Sequence, residues 1–141
     1  MSVSAPTAGQ LASRCIDIVN TGRADRAAEV CAPEFVTIDP HGHDHAPEGI
    51  TQGPEIFANI VGYLHHLFDE LHLDITECYD VGDRAATVIQ LTGRYLGASE
   101  NTDQLGRPVA IEQVHFWYAS DGKLVQHRFL ENDAEFERQV S

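Results

Sequence analysis

The sequence predicts an α+β domain: helices come first, an antiparallel meander follows, and the curved sheet wraps a long helix and leaves a pocket at its open end. Three observations predict it. Apolar residues recur at helical spacing in two segments of the first half, at Leu11, Cys15, Ile16, Ile18 and Val19 and again from Ile56 to Phe68. From His72 onward the apolar period changes to two. Short turn signals, Gly82-Asp83 and Asp121-Gly122, separate the strand-like stretches.

The elements follow in order. Residues 1–9 lack the basic segment and apolar run of an export signal and are expected to be a flexible leader. The first helix ends at Asn20-Thr21-Gly22, where glycine supplies a left-handed cap. Ala24 to Ala32 reads as a second short helix stopped by Pro33, and Phe35 to Asp39 alternates as a strand closed by Pro40. Gly53-Pro54-Glu55 opens the strongest helix, with Ile56, Phe57, Ile60, Val61, Leu64, Leu67 and Phe68 on one stripe and an end near Glu70. Strands are expected near His72 to Val81, Arg84 to Leu96, Pro108 to Ala119 and Lys123 to Leu130. A last short helix, Asp133 to Val140, has Asn132 or Asp133 as its cap, and the polar stretch 97–106 reads as a loop, a rim or a lid.

Composition narrows the function. The 141 residues, 43% hydrophobic, suffice for one core, so 1–141 is a single domain. Nine Lys and Arg stand against 22 Asp and Glu, and a net charge of -13 repels both a phosphate backbone and an anionic membrane. Nucleic-acid and membrane partners are therefore not expected. With neither an export signal nor an apolar run long enough to span a membrane, a cytoplasmic setting is expected, and Cys15, Cys31 and Cys78, odd in number and widely spaced, argue for reduced thiols.

Candidate chemistry sits on two strands. Alternation puts Ile111, Gln113, His115 and Trp117 on one face and Val114 and Phe116 on the other. Buried polar groups need partners or a ligand, so Gln113 and His115 among apolar neighbours point either into a cavity, to satisfied core positions, or to a second subunit. The next strand sets His127, Phe129 and Glu131 on one face, with Arg128 opposite. The run His41-Gly-His43-Asp44-His45 has imidazoles two apart, but it lies in a Gly- and Pro-flanked loop rather than on a rigid strand and lacks the second spacer of a His-x-His-x-Asp-His motif, so no metal is expected there. Cys31 and Cys78 have no neighbouring His or basic residue arranged for thiolate activation, and no glycine-rich phosphate loop occurs.

The order of turns and strands from Asp83 to Gln126, with Leu91-Thr92-Gly93, Gly97, Gly106-Arg107, an aromatic strand and Asp121-Gly122-Lys123, resembles the SnoaL-like polyketide cyclases. The likeness runs from about Phe35 to the C-terminus. It implies the cone of the nuclear transport factor 2-like superfamily, a homodimer, and a cofactor-independent acid-base enzyme closing a ring by an aldol reaction in an apolar, carbonyl-bearing small molecule. In that family a His-Trp-Asp run supplies the acid and base, and the aspartate position here is Phe129. Glu131 and Asp133 are the nearby substitutes, although two residues along a strand displace a carboxylate by ~7 Å.

Phe35 to Gly42 is also similar to the ketosteroid isomerase segment in which an Asp before Pro abstracts a proton. That likeness implies Asp39 as the base, His115 as the oxyanion donor, and Cys15 in place of a tyrosine. The combined expectation has Asp39 taking a proton and His115 with Gln113 steadying the oxyanion. Glu131, Asp133 or His127 returns a proton, and Trp117, Phe129, Tyr63 and Cys15 line the substrate. An isomerase or epoxide hydrolase on the same cone is the alternative, as is a binding or dimerisation module without turnover.

Overall fold

The computed structural model describes residues 4–38, 49–97 and 106–140. Its elements are α1 (Ala8–Thr21), a 3-10 turn (Ala24–Glu29), β1 (Cys31–Ile38), α2 (Pro54–Leu67), β2 (Phe68–Asp80), β3 (Arg84–Tyr95), β4 (Pro108–Ser120), β5 (Lys123–Leu130) and α3 (Asp133–Val140). One curved five-stranded sheet has the order β1-β5-β4-β3-β2.

Most of the sheet is the expected meander. The β4–β5 connection is a two-residue turn with Asp121 at φ 52° and Gly122 at φ 77°, the two positive values that match the twist of a hairpin. The first strand departs from the expectation of an antiparallel sheet. β1 lies parallel to β5, with Val36 opposite Gln126, Thr37 opposite His127 and Ile38 opposite Arg128. Such pairing needs a long crossover, which the chain from α2 through β4 provides.

Local boundaries differ in three places. The predicted helix over 24–32 is a single 3-10 turn, and Cys31, Ala32 and Pro33 already belong to β1, because Pro33 sits at an exposed point where the register with β5 is broken. α2 ends at Leu67 rather than near Glu70, and Phe68 turns extended (φ -130°, ψ 134°) to begin β2 at once. The leader is ordered before residue 9: Ala8 and Gly9 are helical and buried, and Thr7 closes a capping box with Gln10. Thr7 Oγ1 also donates to Asp80 (2.6 Å), and Ala8 N–H donates to Gly82 O (2.7 Å), which fastens the start of α1 to the β2–β3 turn.

The helix that the sheet embraces is α1, not α2. α1 packs against β2, β3, β4 and β5, whereas α2 lies against the 3-10 turn, β1 and β2. The reason is visible in the side chains. α1 buries Leu11, Ala12, Cys15, Ile18 and Val19 at 3% exposure or less, and a buried Leu, Ile or Val contributes ~1.5–3 kcal/mol. Asn20 fixes the register of helix on sheet by donating to Leu73 O (2.8 Å) and accepting from Leu73 N–H (2.7 Å). Of α2, only Ile56, Phe57 and Val61 are buried, so its C-terminal half is left to border an opening.

α3 closes the far side of that opening. Gln139 pairs with both backbone groups of Ala110 on β4 (2.7 and 2.8 Å), and Phe136 meets Phe68 and Tyr95 edge-on. No helix among the described residues is long and apolar enough to cross a membrane.

Candidate functional site

Between the end of α2, the inner sheet face and α3 lies a cavity of about 640 Å³, within the range of small-molecule sites. Leu64, Leu67, Phe68, Leu91, Ile111 and Phe136 give it apolar walls. Its polar lining includes Gln113 on β4 and, at the mouth, Tyr63, Glu131 and Asp133. The register places His115 opposite Phe129 and Val114 opposite Leu130, and Glu131 follows directly past the end of β5.

Behind Gln113 the wall is a stack of rings. His115, on β4, lies nearly parallel to His127 (centroids 5.0 Å, 19°) and to Phe129 (5.7 Å, 18°), and Trp117 covers His127 at 4.5 Å. Trp117 Nε1–H donates to Thr87 Oγ1 (2.9 Å), and the Thr87 hydroxyl donates to the His115 carbonyl (3.3 Å). Every polar atom of this layer that the bonds reach is paired, as a dry layer requires.

A chain of three hydrogen bonds threads the stack. Thr37 Oγ1 lies 2.9 Å from His127 Nδ1, His127 Nε2 lies 2.8 Å from His115 Nδ1, and His115 Nε2 lies 2.9 Å from Gln113 Oε1. Burial removes water from His115 and lowers its pKa to about 3, so the ring is neutral at ordinary pH. A neutral imidazole donates through one nitrogen and accepts through the other. With Gln113 Oε1 accepting, the neutral His115 carries its proton on Nε2 and accepts at Nδ1 from His127 Nε2–H; with that single proton on His127, the Thr37 hydroxyl donates to its Nδ1.

One consequence concerns Gln113 itself. Its oxygen is turned back to His115, which leaves the amide nitrogen for the cavity side. Gln113 is only 9% exposed, and no acceptor among the described residues meets that nitrogen. A buried donor facing a cavity without a protein partner is the mark of a ligand contact.

The structure thus sorts the sequence-predicted residues into groups. Gln113, Glu131, Asp133 and Tyr63 border the cavity. His115, His127, Trp117 and Phe129 form the layer behind it, and both His115 nitrogens are engaged by protein, so this imidazole backs Gln113 rather than reaching a substrate oxygen. Cys15 is elsewhere, fully buried against Cys31; burial first, and the neighbouring thiol second, raise its pKa well above the usual value. Asp39 and the histidine run 41–45 lie outside the described residues, as does most of the 97–106 loop; among the described residues no cluster suited to a metal occurs.

Sequence reasoning missed Thr37 and Thr87. Thr87 alternates with Ala85 and Ile89 on a buried strand face and was open to detection by period two. Thr37 comes next to His127 only through the parallel pairing of β1 with β5.

Comparison with known proteins gives a consistent picture. The family model of the SnoaL-like polyketide cyclases matches residues 9–140. Aklanonic acid methyl ester cyclase DnrD of Streptomyces peucetius is 34% identical over 119 residues, which span 84% of this chain and 79% of that protein. Nogalonic acid methyl ester cyclase of Streptomyces nogalater is 31% identical over 114 residues, 80% of this chain and 81% of its own. Among solved structures, TsrD from Streptomyces laurentii superposes with a TM-score of 0.76 at 19% identity, covering 94% of this chain and 92% of that one. A SnoaL-like polyketide cyclase from Agrobacterium tumefaciens gives 0.76 at 12% identity, covering 96% and 99%. These two likenesses establish the fold.

Proposed function

The chain belongs to the SnoaL-like polyketide cyclase family, and from that premise we propose that it closes a ring by a cofactor-independent aldol reaction within a largely apolar, carbonyl-bearing polyketide. The observation that carries this reading is the buried amide of Gln113, its nitrogen turned to the cavity that Glu131 also lines. A carbonyl oxygen entering the cavity finds a hydrogen-bond donor, and the developing enolate or alkoxide is steadied in a dry site where such a donor counts for most.

The proton-transfer role falls to the mouth. Phe129 occupies the position where the family's aspartate stands, and it is packed in the ring stack, opposite His115. Glu131 and Asp133, past the end of β5 and at the start of α3, bring carboxylates to the cavity instead. In this reading one of them takes the proton from the carbon that becomes nucleophilic, and returns it to the new alkoxide after the carbon-carbon bond has formed. Asp39, two residues beyond Thr37, is the competing base.

The experiment is steady-state turnover of aklanonic acid methyl ester, the compound in the relatives' names, by Glu131→Gln, Asp133→Asn and Asp39→Asn. Loss of turnover on the first or second, with Asp39→Asn active, supports the mouth assignment. Loss on Asp39→Asn alone moves the base to the end of β1.

Phe129 also favours a second reading, in which the cavity binds a carbonyl compound without turning it over. Tight binding of the ester with no ring closure and no proton exchange into it identifies this case. A homodimer through the outer sheet face belongs to the proposal as well. Val114 and Phe116 are half-buried there, beside exposed Tyr79 and Val81; sedimentation equilibrium at the monomer mass contradicts it. A cytoplasmic setting accords with the unpaired Cys15, Cys31 and Cys78, and cell fractionation tests it.

A further inference from the structure

The chain behind the cavity wall has a direction, and its far end is a hydroxyl on another strand. With one proton on each imidazole, two polarities satisfy three bonds among a hydroxyl, two imidazoles and an amide. In one, Thr37 donates, both histidines carry their protons on Nε2, and Gln113 accepts through Oε1 and shows its NH₂ to the cavity. In the other, Gln113 donates through its nitrogen, both protons sit on Nδ1, Thr37 accepts, and the cavity meets the amide carbonyl. A carbonyl there opposes a developing oxyanion instead of binding it. The polarity of a buried chain therefore decides what chemistry the wall offers.

We propose that Thr37 is a positioning residue for ring closure: by donating to His127 Nδ1 it sets the tautomers of His127 and His115 and thereby turns the Gln113 amide nitrogen toward the substrate. The proposal rests on the reading of Gln113 as the substrate's hydrogen-bond donor. Three distances carry it, 2.9, 2.8 and 2.9 Å, each within the range of a full hydrogen bond. The enclosure of the chain supports it further. His115 and His127 are 9% and 7% exposed, and their rings are held between Trp117 and Phe129, so neither can turn over without disturbing its neighbours. The parallel pairing of β1 with β5 fixes Thr37 beside His127 independently of the side-chain bonds.

The test uses the full chain with ¹⁵N-labelled histidine, as wild type, Thr37→Val and Thr37→Ser. Imidazole ¹⁵N shifts read the tautomer of each ring without any substrate. Wild type is expected to show Nε2–H at both His115 and His127. Thr37→Val, which keeps shape and removes the hydroxyl, is expected to populate Nδ1–H, and Thr37→Ser to restore the wild-type pattern. Because removing an oxyanion donor outright costs ~10²–10³ in kcat and disorienting it costs only part of that, Thr37→Val should lower kcat about three- to tenfold with little change in KM. Should the valine variant not fold, Thr37→Ala is read in the same way. Unchanged tautomers and kcat in Thr37→Val, beside an inactive Gln113→Ala, overturn the role of Thr37 and leave the donor reading standing. Full activity in Gln113→Ala overturns the donor reading, and with it any catalytic consequence of Thr37.

Discussion

The inner wall and the mouth of the cavity are both polar, and they differ in every other respect. The wall, Gln113 with His115 and His127 behind it, is buried and joined by hydrogen bonds from β1 to β4, and its His115 ring is neutral. The mouth gathers Glu131 just before α3 and Asp133 and Glu137 on it, in a chain of net charge -13. In the proposed mechanism the difference separates two tasks. Orientation requires a fixed, uncharged donor in a dry place, whereas proton exchange requires a group that ionises freely, and hence one in contact with water.

The largest effect that breaks the comparison comes from the mouth. Removing both carboxylates, Glu131→Gln with Asp133→Asn, should lower kcat by ~10²–10⁴ while binding of the ester persists, because general acid-base assistance is of that size. Retention of kcat in the double variant would place the proton carrier elsewhere.

The wall should answer in stability. Phe129→Ala removes a ring stacked on both histidines at 7% exposure, and a buried Phe→Ala change costs about 3–5 kcal/mol. Urea unfolding measures it, and a loss below ~1 kcal/mol would mean that the stack is not tightly packed.

The pH dependence sharpens the contrast. His115 in the folded chain has its pKa lowered to about 3 by burial, against about 6.5 for the unfolded chain. Between those values the unfolded state binds the proton and the folded state does not, so stability is held above pH 6.5 and falls as pH drops toward 3. The slope from this one group approaches roughly 1.4 kcal/mol per pH unit at most. His115→Gln should show a shallower loss than wild type over that window, and equal slopes would contradict a neutral, buried ring.

The smallest effect tests the frame of the mouth. Gln139→Ala deletes the two hydrogen bonds from α3 to Ala110 and should cost about 1–2 kcal/mol locally, raising KM more than it lowers kcat. A larger change in kcat would show that α3 sets the position of the carboxylates closely.

Alternation of period two made the wall legible in advance. It put Gln113, His115 and Trp117 on one face of β4, and His127 and Phe129 on one face of β5, and all five are buried. What stayed hidden depends on pairing between distant segments. Nothing in Phe35 to Ile38 announces a parallel partner ninety residues on, so Thr37 read as an ordinary strand residue. The helices were ranked by the strength of their stripes, but the embraced helix is α1, whose small and medium side chains allow the sheet to come close. Whether a histidine faces a ligand or another side chain is likewise a matter of one residue's depth, and here Gln113 stands in front of His115.

The central claim, that the wall contributes an amide N–H and the mouth the proton, is tested most directly by turnover of aklanonic acid methyl ester in Gln113→Glu. A carboxylate at this position still accepts from His115 Nε2–H, so fold and histidine tautomers persist, but the donor is gone and a negative charge faces the developing oxyanion. The predicted result is a fall in kcat of at least ~10²-fold with the wild-type ¹⁵N histidine pattern intact. Wild-type kcat in Gln113→Glu would contradict the account.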